Sequence, residues 1–282
     1  MLDLIKVIIL GIVEGITEFL PISSTGHLVV TTALLRPNFS EALTDTFEIF
    51  IQLGAILAVV VFYRTDLWKQ VKAVRTSPQI QHFWIAIVIA TIPAGVIGFL
   101  LRTWIKTNLF SPIIVAISLI VGGFIILGIE RMLGNRQPVG AQAITEDEDT
   151  TTSLAAVTYG QAMLIGLIQA ISLIPGVSRA AASIFGGMLT GLNRDTATRF
   201  SFFLAIPTLG GATIVDLLLS LDEIQPSDLV YLILGAVVSA VVAWFAVGFL
   251  LRYISRHTFT AFGYYRIVAG AVILLLAAAS IV

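Results

Sequence analysis

The sequence predicts an all-α polytopic membrane protein, with six transmembrane helices and two re-entrant helix pairs arranged as an inverted-topology repeat. Three observations carry that prediction. Hydrophobic residues make up 57% of the 282 residues and charged residues only 12%, with a mean hydropathy of +0.99. A soluble domain carries about 25% charge. The apolar residues fall in runs of about 18 to 22, enough to cross roughly 30 Å of hydrocarbon at about 1.5 Å per residue. Finally, a motif built around a proline occurs once in each half of the chain.

Taken in order, the first stretch, residues 4–36, is apolar but interrupted by Pro21 and by clustered polar residues. Its leading segment, MLDLIKVIILGIVEGITEF, carries Glu14 and Glu18 and has no small-residue cleavage pattern, so it reads as mature protein rather than a signal peptide. Full spans follow at 47–64, 83–101 and 111–131. Residues 156–193 repeat the interrupted pattern around Pro175, and three more spans follow at 199–220, 228–250 and 262–282. Polar, non-helical backbone survives at membrane depth only where protein or a water-filled cavity surrounds it. The two interrupted stretches are therefore expected to be re-entrant pairs of short helices whose tips meet inside the protein.

Between the halves, NRQPVGAQAITEDEDTTTS at 135–153 is the only long hydrophilic stretch and is acidic at Glu146 to Asp149, as a flexible linker would be. The expected division is a first half at 1–134, the linker at 135–153 and a second half at 154–282. GIVEGITEFLPISS from Gly11 matches GLIQAISLIPGVSR from Gly166, with Glu14 opposite Gln169. Each copy precedes three spans, and an odd number of spans inverts the second half. That arrangement builds a site from paired broken helices near the midplane.

Short-loop Lys and Arg set the orientation. The 64–75 loop, with Arg64, Lys69, Lys72 and Arg75, is placed in the cytoplasm, together with Arg131, Arg136, Arg194, Arg199, Arg252 and Arg256. The acidic 221–228 loop, with Asp222, Glu223 and Asp228, then falls outside, as do both termini. A net charge of -1 gives no basic field, so a nucleic-acid partner is set aside. With no cysteine, thiolate chemistry and cysteine metal sites are excluded, and the chemistry must use oxygen and nitrogen groups.

Glu14 and Glu18 stand four apart, so on a helix both carboxylates share a face. Each ionised group at bilayer depth costs at least about 2.5 kcal/mol. A divalent cation held by both, Mg²⁺ or Ca²⁺, would compensate, with a phosphate substrate supplying further ligands. The competing reading is one protonated glutamate hydrogen-bonded within the bundle. In PISSTGH, Pro21 stops a helix and Ser23, Ser24 or Thr25 can cap the next, whose N-terminal amides attract an anion. His27 lies three after Ser24, the spacing for a hydroxyl to meet a base on one helix face.

In the second half, PGVSRAAAS sets Ser178 and Arg179 just past a helix-breaking Pro175 and Gly176. A buried guanidinium suits phosphate oxygens bidentately, and pairing with Glu14 or Glu18 is the plainer alternative. Glu48 and Gln52, four apart, would line the cavity or orient the groups in it. Arg199, Arg266 and Asp216 are expected in structural pairs near helix ends, and His82 and His257 in solvent.

EGITEFLPISSTGHL, FEIFIQLGAILAV, PGVSRAAASIFGG and RFSFFLAIPTLGGA together resemble the bacitracin-resistance type undecaprenyl-diphosphate phosphatases over nearly the whole chain. The resemblance implies hydrolysis of the terminal phosphate of undecaprenyl diphosphate, which regenerates the carrier lipid for cell-wall synthesis. It also implies a bacterial inner-membrane location and a site facing the periplasm. The family's catalytic glutamates fall on Glu14 and Glu18, its serine and histidine on Ser24 and His27, and its arginine on Arg179.

One departure follows that arginine, where the family's SRSG run with a later Thr reads here Ala180, Ala181, Ala182, Ser183. Hydroxyl contacts from positions 180 and 183 are then lost or altered. Ser23, Thr25, Ser178, Ser183, Glu48 and Gln52 stand as candidate substrate-binding residues. Two mechanisms are consistent with the residues, attack by Ser24 with His27 moving the proton, or attack by metal-activated water with Ser24 positioning phosphate. A polyprenyl diphosphate lipid and the bilayer are the implied partners, and a homodimer stays open. A membrane transporter or lipid flippase is the rival reading, which the inverted repeat and midplane polar groups would also fit.

Overall fold

The computed structural model describes residues 2–37, 39, 41–133, 154–220 and 224–282. The expected linker at 135–153 and the boundary at 134 lie outside the described residues, as do Asp222 and Glu223 of the acidic loop. In chain order the helices are α1 (Leu2–Thr17), α2 (Ser24–Leu35), α3 (Glu41–Phe62), α4 (Arg64–Ala73), α5 (Pro78–Leu109) and α6 (Pro112–Leu133), followed by α7 (Tyr159–Ala170), α8 (Arg179–Leu189), α9 (Arg194–Ser220), α10 (Leu229–Ile254) and α11 (Thr260–Ala278). No strand occurs among the described residues.

Five of these helices, α5, α6, α9, α10 and α11, are long and apolar enough to cross a membrane, and α3 with α4 makes a sixth if the bent pair is one span. The expected spans therefore stand, with bounds shifted by a few residues. α5 begins at Pro78, where the Ser77 side chain accepts the Ile80 N–H at 3.4 Å and a proline in the first turn loses no helical bond.

The basic loop expected at 64–75 is largely helix. α4 leaves α3 at a 69° bend beyond Phe62 and exposes Trp68 and Val71 beside Arg64, Lys69 and Lys72. The Lys72 ammonium lies 5.0 Å from the centre of the Trp68 ring. Apolar rings beside cationic tips suit a helix lying along the lipid headgroups.

Both interrupted stretches break where their prolines stand. α1 ends at Thr17 and α2 begins at Ser24. α7 ends at Ala170, a 3₁₀ turn covers Ile171–Leu173, and α8 begins at Arg179. The residue before each new helix is a serine in the left-handed region, Ser23 at φ 73° and Ser178 at φ 74°. Each caps its helix, the Ser23 hydroxyl accepting the Gly26 N–H at 3.4 Å and the Ser178 hydroxyl the Ala181 N–H at 3.1 Å. The cap offsets part of the cost of a non-glycine residue at positive φ. α1 packs on α2, and α7 packs on α8.

Small residues let the helices approach closely, the usual basis of packing where lipid removes the hydrophobic drive. α1 lies on α10, where a Cβ at Gly11 would stand 2.8 Å from the Gly235 carbonyl, and α7 lies on α5, with Gly166 against the Ala90 carbonyl. The core gathers around Phe19, Phe83, Phe200, Phe203 and Phe259. The outer faces of the long helices carry large exposed apolar side chains, such as Phe99 at 82%, which is the surface a lipid solvent permits.

Candidate active site

Glu18 sits where three segments meet. It follows the end of α1, its N–H still bonded to the Glu14 carbonyl at 2.9 Å, and it is 6% exposed. Ser24, the first residue of α2, donates its hydroxyl to Glu18 Oε2 at 2.6 Å. Arg179, the first residue of α8, donates Nη2 to Glu18 Oε1 at 3.1 Å. One carboxylate thus bridges the starts of both short helices, where unpaired amides and helix dipoles favour an anion. Hydroxyl, adjacent base and a cation holding that base form the constellation of an activated nucleophile.

Arg179 is held from behind. Nη1 reaches the Ser201 carbonyl at 3.1 Å and the Ser201 hydroxyl at 3.3 Å, and the guanidinium lies 5.4 Å from the centre of the Phe19 ring. Ser183 reaches Ser201 at 2.6 Å and donates to the Arg179 carbonyl at 2.8 Å. With Nη1 and Nη2 so engaged, Nε is a buried donor with no partner. Glu14 Oε2 is likewise buried and unpartnered, on a residue 1% exposed. A phosphate oxygen at Nε and a cation at Glu14 would remove the desolvation cost of leaving such groups bare.

His27 is placed otherwise than the i, i+3 spacing predicted. Its Nδ1 lies 2.7 Å from the Ser23 carbonyl and its Nε2 lies 2.6 Å from the Tyr265 hydroxyl, with the two rings stacked at 5.6 Å. A carbonyl only accepts, so Nδ1 carries a proton, and in the neutral ring Nε2 accepts the tyrosine hydrogen. Ser24 meets Glu18 instead. An α-helix separates the side chains of its first turn by about 100° per residue, and the acidic partner, just past the end of α1, lies on the Ser24 side.

The remaining candidates fall in three places. Ser23 and Ser178 spend their hydroxyls on the caps, and Thr25 is half-buried in the first turn of α2. Gln52 accepts from Thr213 at 3.0 Å and so ties α3 to α9. Glu48 lies exposed beside Leu10, Leu28, Phe47 and Ile51, within electrostatic reach of Glu14.

Three residues at or near the site were not among the sequence candidates: Ser201, Tyr265 and Arg266. Ser201 and Tyr265 act through side chains 22 and 238 residues from their partners, and no local spacing signals that. Of the expected structural pairs, Asp216 joins Arg102 and Arg199 joins Asp195 at 2.7 Å, whereas Arg266 binds only main-chain carbonyls. His82 is half-buried rather than fully in solvent. It bonds the Val157 carbonyl at 2.9 Å and stacks on Tyr159, while His257 is exposed.

No group of three or more His, Asp or Glu that could hold a metal occurs among the described residues. Glu14 Oε2, an orphaned buried oxygen, still suits a hard cation such as Mg²⁺ or Ca²⁺, which commonly completes its shell with phosphate and water.

The profile of the family described as "Bacitracin resistance protein BacA" matches residues 7–272. A protein of Deinococcus radiodurans named "Undecaprenyl-diphosphatase" is 45% identical over 98% of this chain and 96% of its own length. Proteins of the same name from Herminiimonas arsenicoxydans and a Janthinobacterium species are 46% and 47% identical, each over 96% of this chain and 94% of theirs. A match covering nearly every described helix at that identity leaves one conclusion: the chain is a multi-pass membrane protein and belongs to the bacitracin resistance protein BacA family.

Proposed function

We propose that this chain hydrolyses undecaprenyl diphosphate to undecaprenyl phosphate and inorganic phosphate, recycling the carrier lipid for cell-wall synthesis. The observation that carries the reading is the Ser24–Glu18–Arg179 relay, with bonds of 2.6 and 3.1 Å buried in a lipid-facing protein. The names of the relatives supply the substrate.

The Ser24 oxygen attacks the terminal phosphorus while its proton passes to Glu18, to which it is already bonded. The bond from phosphorus to the bridging oxygen breaks, and undecaprenyl phosphate leaves. Glu18 passes the serine proton on to the departing phosphate and is a carboxylate again. Water then attacks the phosphoserine, and Glu18 takes its proton and returns it to the serine oxygen as the bond from that oxygen to phosphorus breaks, releasing inorganic phosphate and restoring the hydroxyl. Arg179, through Nε, offsets charge on the transferred group, and Ser183 with Ser201 keeps the guanidinium aimed. His27 is bonded at both ring nitrogens. It supports the wall of the site through Tyr265 and reaches a phosphate oxygen only if that bond opens. Glu14 and Glu18 would hold Mg²⁺ or Ca²⁺, which when bound supplies neutralisation of the diphosphate charge.

An inverted repeat supports this placement near the midplane. Position-matched Gly11 and Gly166 seat α1 on α10 and α7 on α5, and the two caps Ser23 and Ser178 share one unusual backbone conformation. The cationic character of α4 supports placing that helix on the cytoplasmic side of the inner membrane and the site toward the periplasm. Phosphate release from undecaprenyl diphosphate by the detergent-purified protein tests the reading. The wild type should turn over, and Ser24→Ala and Glu18→Gln should each lose about 10²- to 10⁴-fold. A transporter or flippase would release no phosphate, and a Ser24→Ala rate within about tenfold of wild type would remove Ser24 as nucleophile.

A further inference from the structure

Arg266 of α11 is a fully buried cation at 0% exposure, and its hydrogen bonds all end on main-chain carbonyls. Nε reaches Leu119 at 3.4 Å, Nη1 reaches Pro21 at 3.3 Å and Val177 at 2.9 Å, and Nη2 reaches Ser118 at 3.2 Å and Gly176 at 3.0 Å. A guanidinium has five N–H donors, and these five contacts match them. The acceptors come from three segments, namely the first break, the second break and the middle of α6. Carbonyls in a helix break lack intrahelical partners and find no water in lipid, while a buried cation without a carboxylate needs dipoles around it. Each meets the other's need.

The location gives the arrangement a second consequence. Pro21 lies three residues before Ser24, and Val177 lies two before Arg179. The two halves of the relay thus start from backbone gripped by a single rigid plane. α6 makes room for that plane with Gly122, where a Cβ would collide with Nη2.

We propose that Arg266 is a positioning residue that sets the start of α2 against the start of α8, and thereby Ser24 against Arg179. The inference rests on the hydrolase reading above only for its kinetic test. A relay of short bonds across two separate breaks is sensitive to displacements of well under 1 Å, so loosening the clamp lowers turnover more than substrate binding.

Arg266→Lys keeps the charge but cannot reach three segments at once, and Gly122→Ala keeps the arginine but crowds it. In both, kcat per folded molecule should fall at least about tenfold with KM changed less than about threefold. On a Ser24→Ala background Arg266→Lys should cost less than about threefold, because the clamp acts through the relay. A readout independent of activity uses the absence of cysteine among the described residues. Leu34→Cys and Leu189→Cys, at exposed positions of α2 and α8, carry a spin-label pair whose distance distribution should broaden or shift in Arg266→Lys.

An unchanged distance distribution overturns the proposal. So does wild-type kcat in either folded variant, or full additivity with Ser24→Ala. Loss of folded protein in both variants also overturns it, in favour of a purely structural arginine. If the wild type releases no phosphate, the hydrolase reading fails while the distance measurement still decides the clamp.

Discussion

Each oxygen of Glu18 accepts one hydrogen bond, from Ser24 and from Arg179, and keeps a further lone pair, so the carboxylate is fixed in position and would receive the serine proton without reorganising. Arg179 is equally committed, one nitrogen to Glu18 and one to Ser201. We predict that Arg179→Lys, though it keeps the charge, loses both anchors at once. Two charge-assisted bonds at about 1.5 kcal/mol each come to about 3 kcal/mol, over a hundredfold in kcat/KM. Retention of more than about half of wild-type kcat/KM would return Arg179 to a structural role. Glu18, Ser24 and Arg179 were legible because polar residues inside apolar runs are costly and so conspicuous. The direction of His27 was not, because its partners are a carbonyl and a tyrosine 238 residues away. Arg266 was read as half of an ion pair for a similar reason, since main-chain acceptors leave no residue type to recognise.

The helices depend on where glycine stands. At Gly54 of α3 a Cβ would run into the Ala236 carbonyl of α10, whereas at Gly128 of α6 nothing lies within 4 Å. Gly54→Ala should destabilise by about 1–3 kcal/mol through forced separation of the two helices. Gly128→Ala should be neutral or gain up to about 1 kcal/mol from helix propensity. Apparent melting temperatures in detergent check the pair, and equal shifts would mean that close approach at Gly54 carries no energy. Hydropathy gave five of the six expected spans directly, because a run of apolar residues has little alternative in lipid. It left α4 as a loop, since a short amphipathic helix with three exposed cations scores as polar even where lipid headgroups can hold it. The prolines fixed both breaks. The left-handed serines at their ends were not foreseeable, because glycine is the residue expected there.

As a whole, the molecule brings Glu18 and Arg179, 161 residues apart in sequence, together in space. If Glu14 and Glu18 share a divalent cation, chelator should abolish phosphate release and added Mg²⁺ or Ca²⁺ should restore it. Glu14→Gln should then need at least about tenfold more metal for half-maximal rate. Wild-type rates in excess chelator would leave Glu14 as a buried acid with no metal to hold. Fold class was readable from composition because solvent dictates it; the closed geometry of the site was not, because it depends on three-way contacts between distant segments. Those separations also set a timetable. Glu18 precedes Arg179 by 161 residues, and Pro21 precedes Arg266 by 245. At about 5–20 residues per second, the glutamates wait in or beside the bilayer for roughly ten seconds or more before their cation is made. The arginine that grips both breaks arrives later still, on a helix that follows every other described one. On the clamp proposal, a ribosome stalled before α11 leaves a chain with Ser24, Glu18 and Arg179 already synthesised but without the arginine that holds both breaks, and turnover stays below its full rate until the last of these helices is threaded into place.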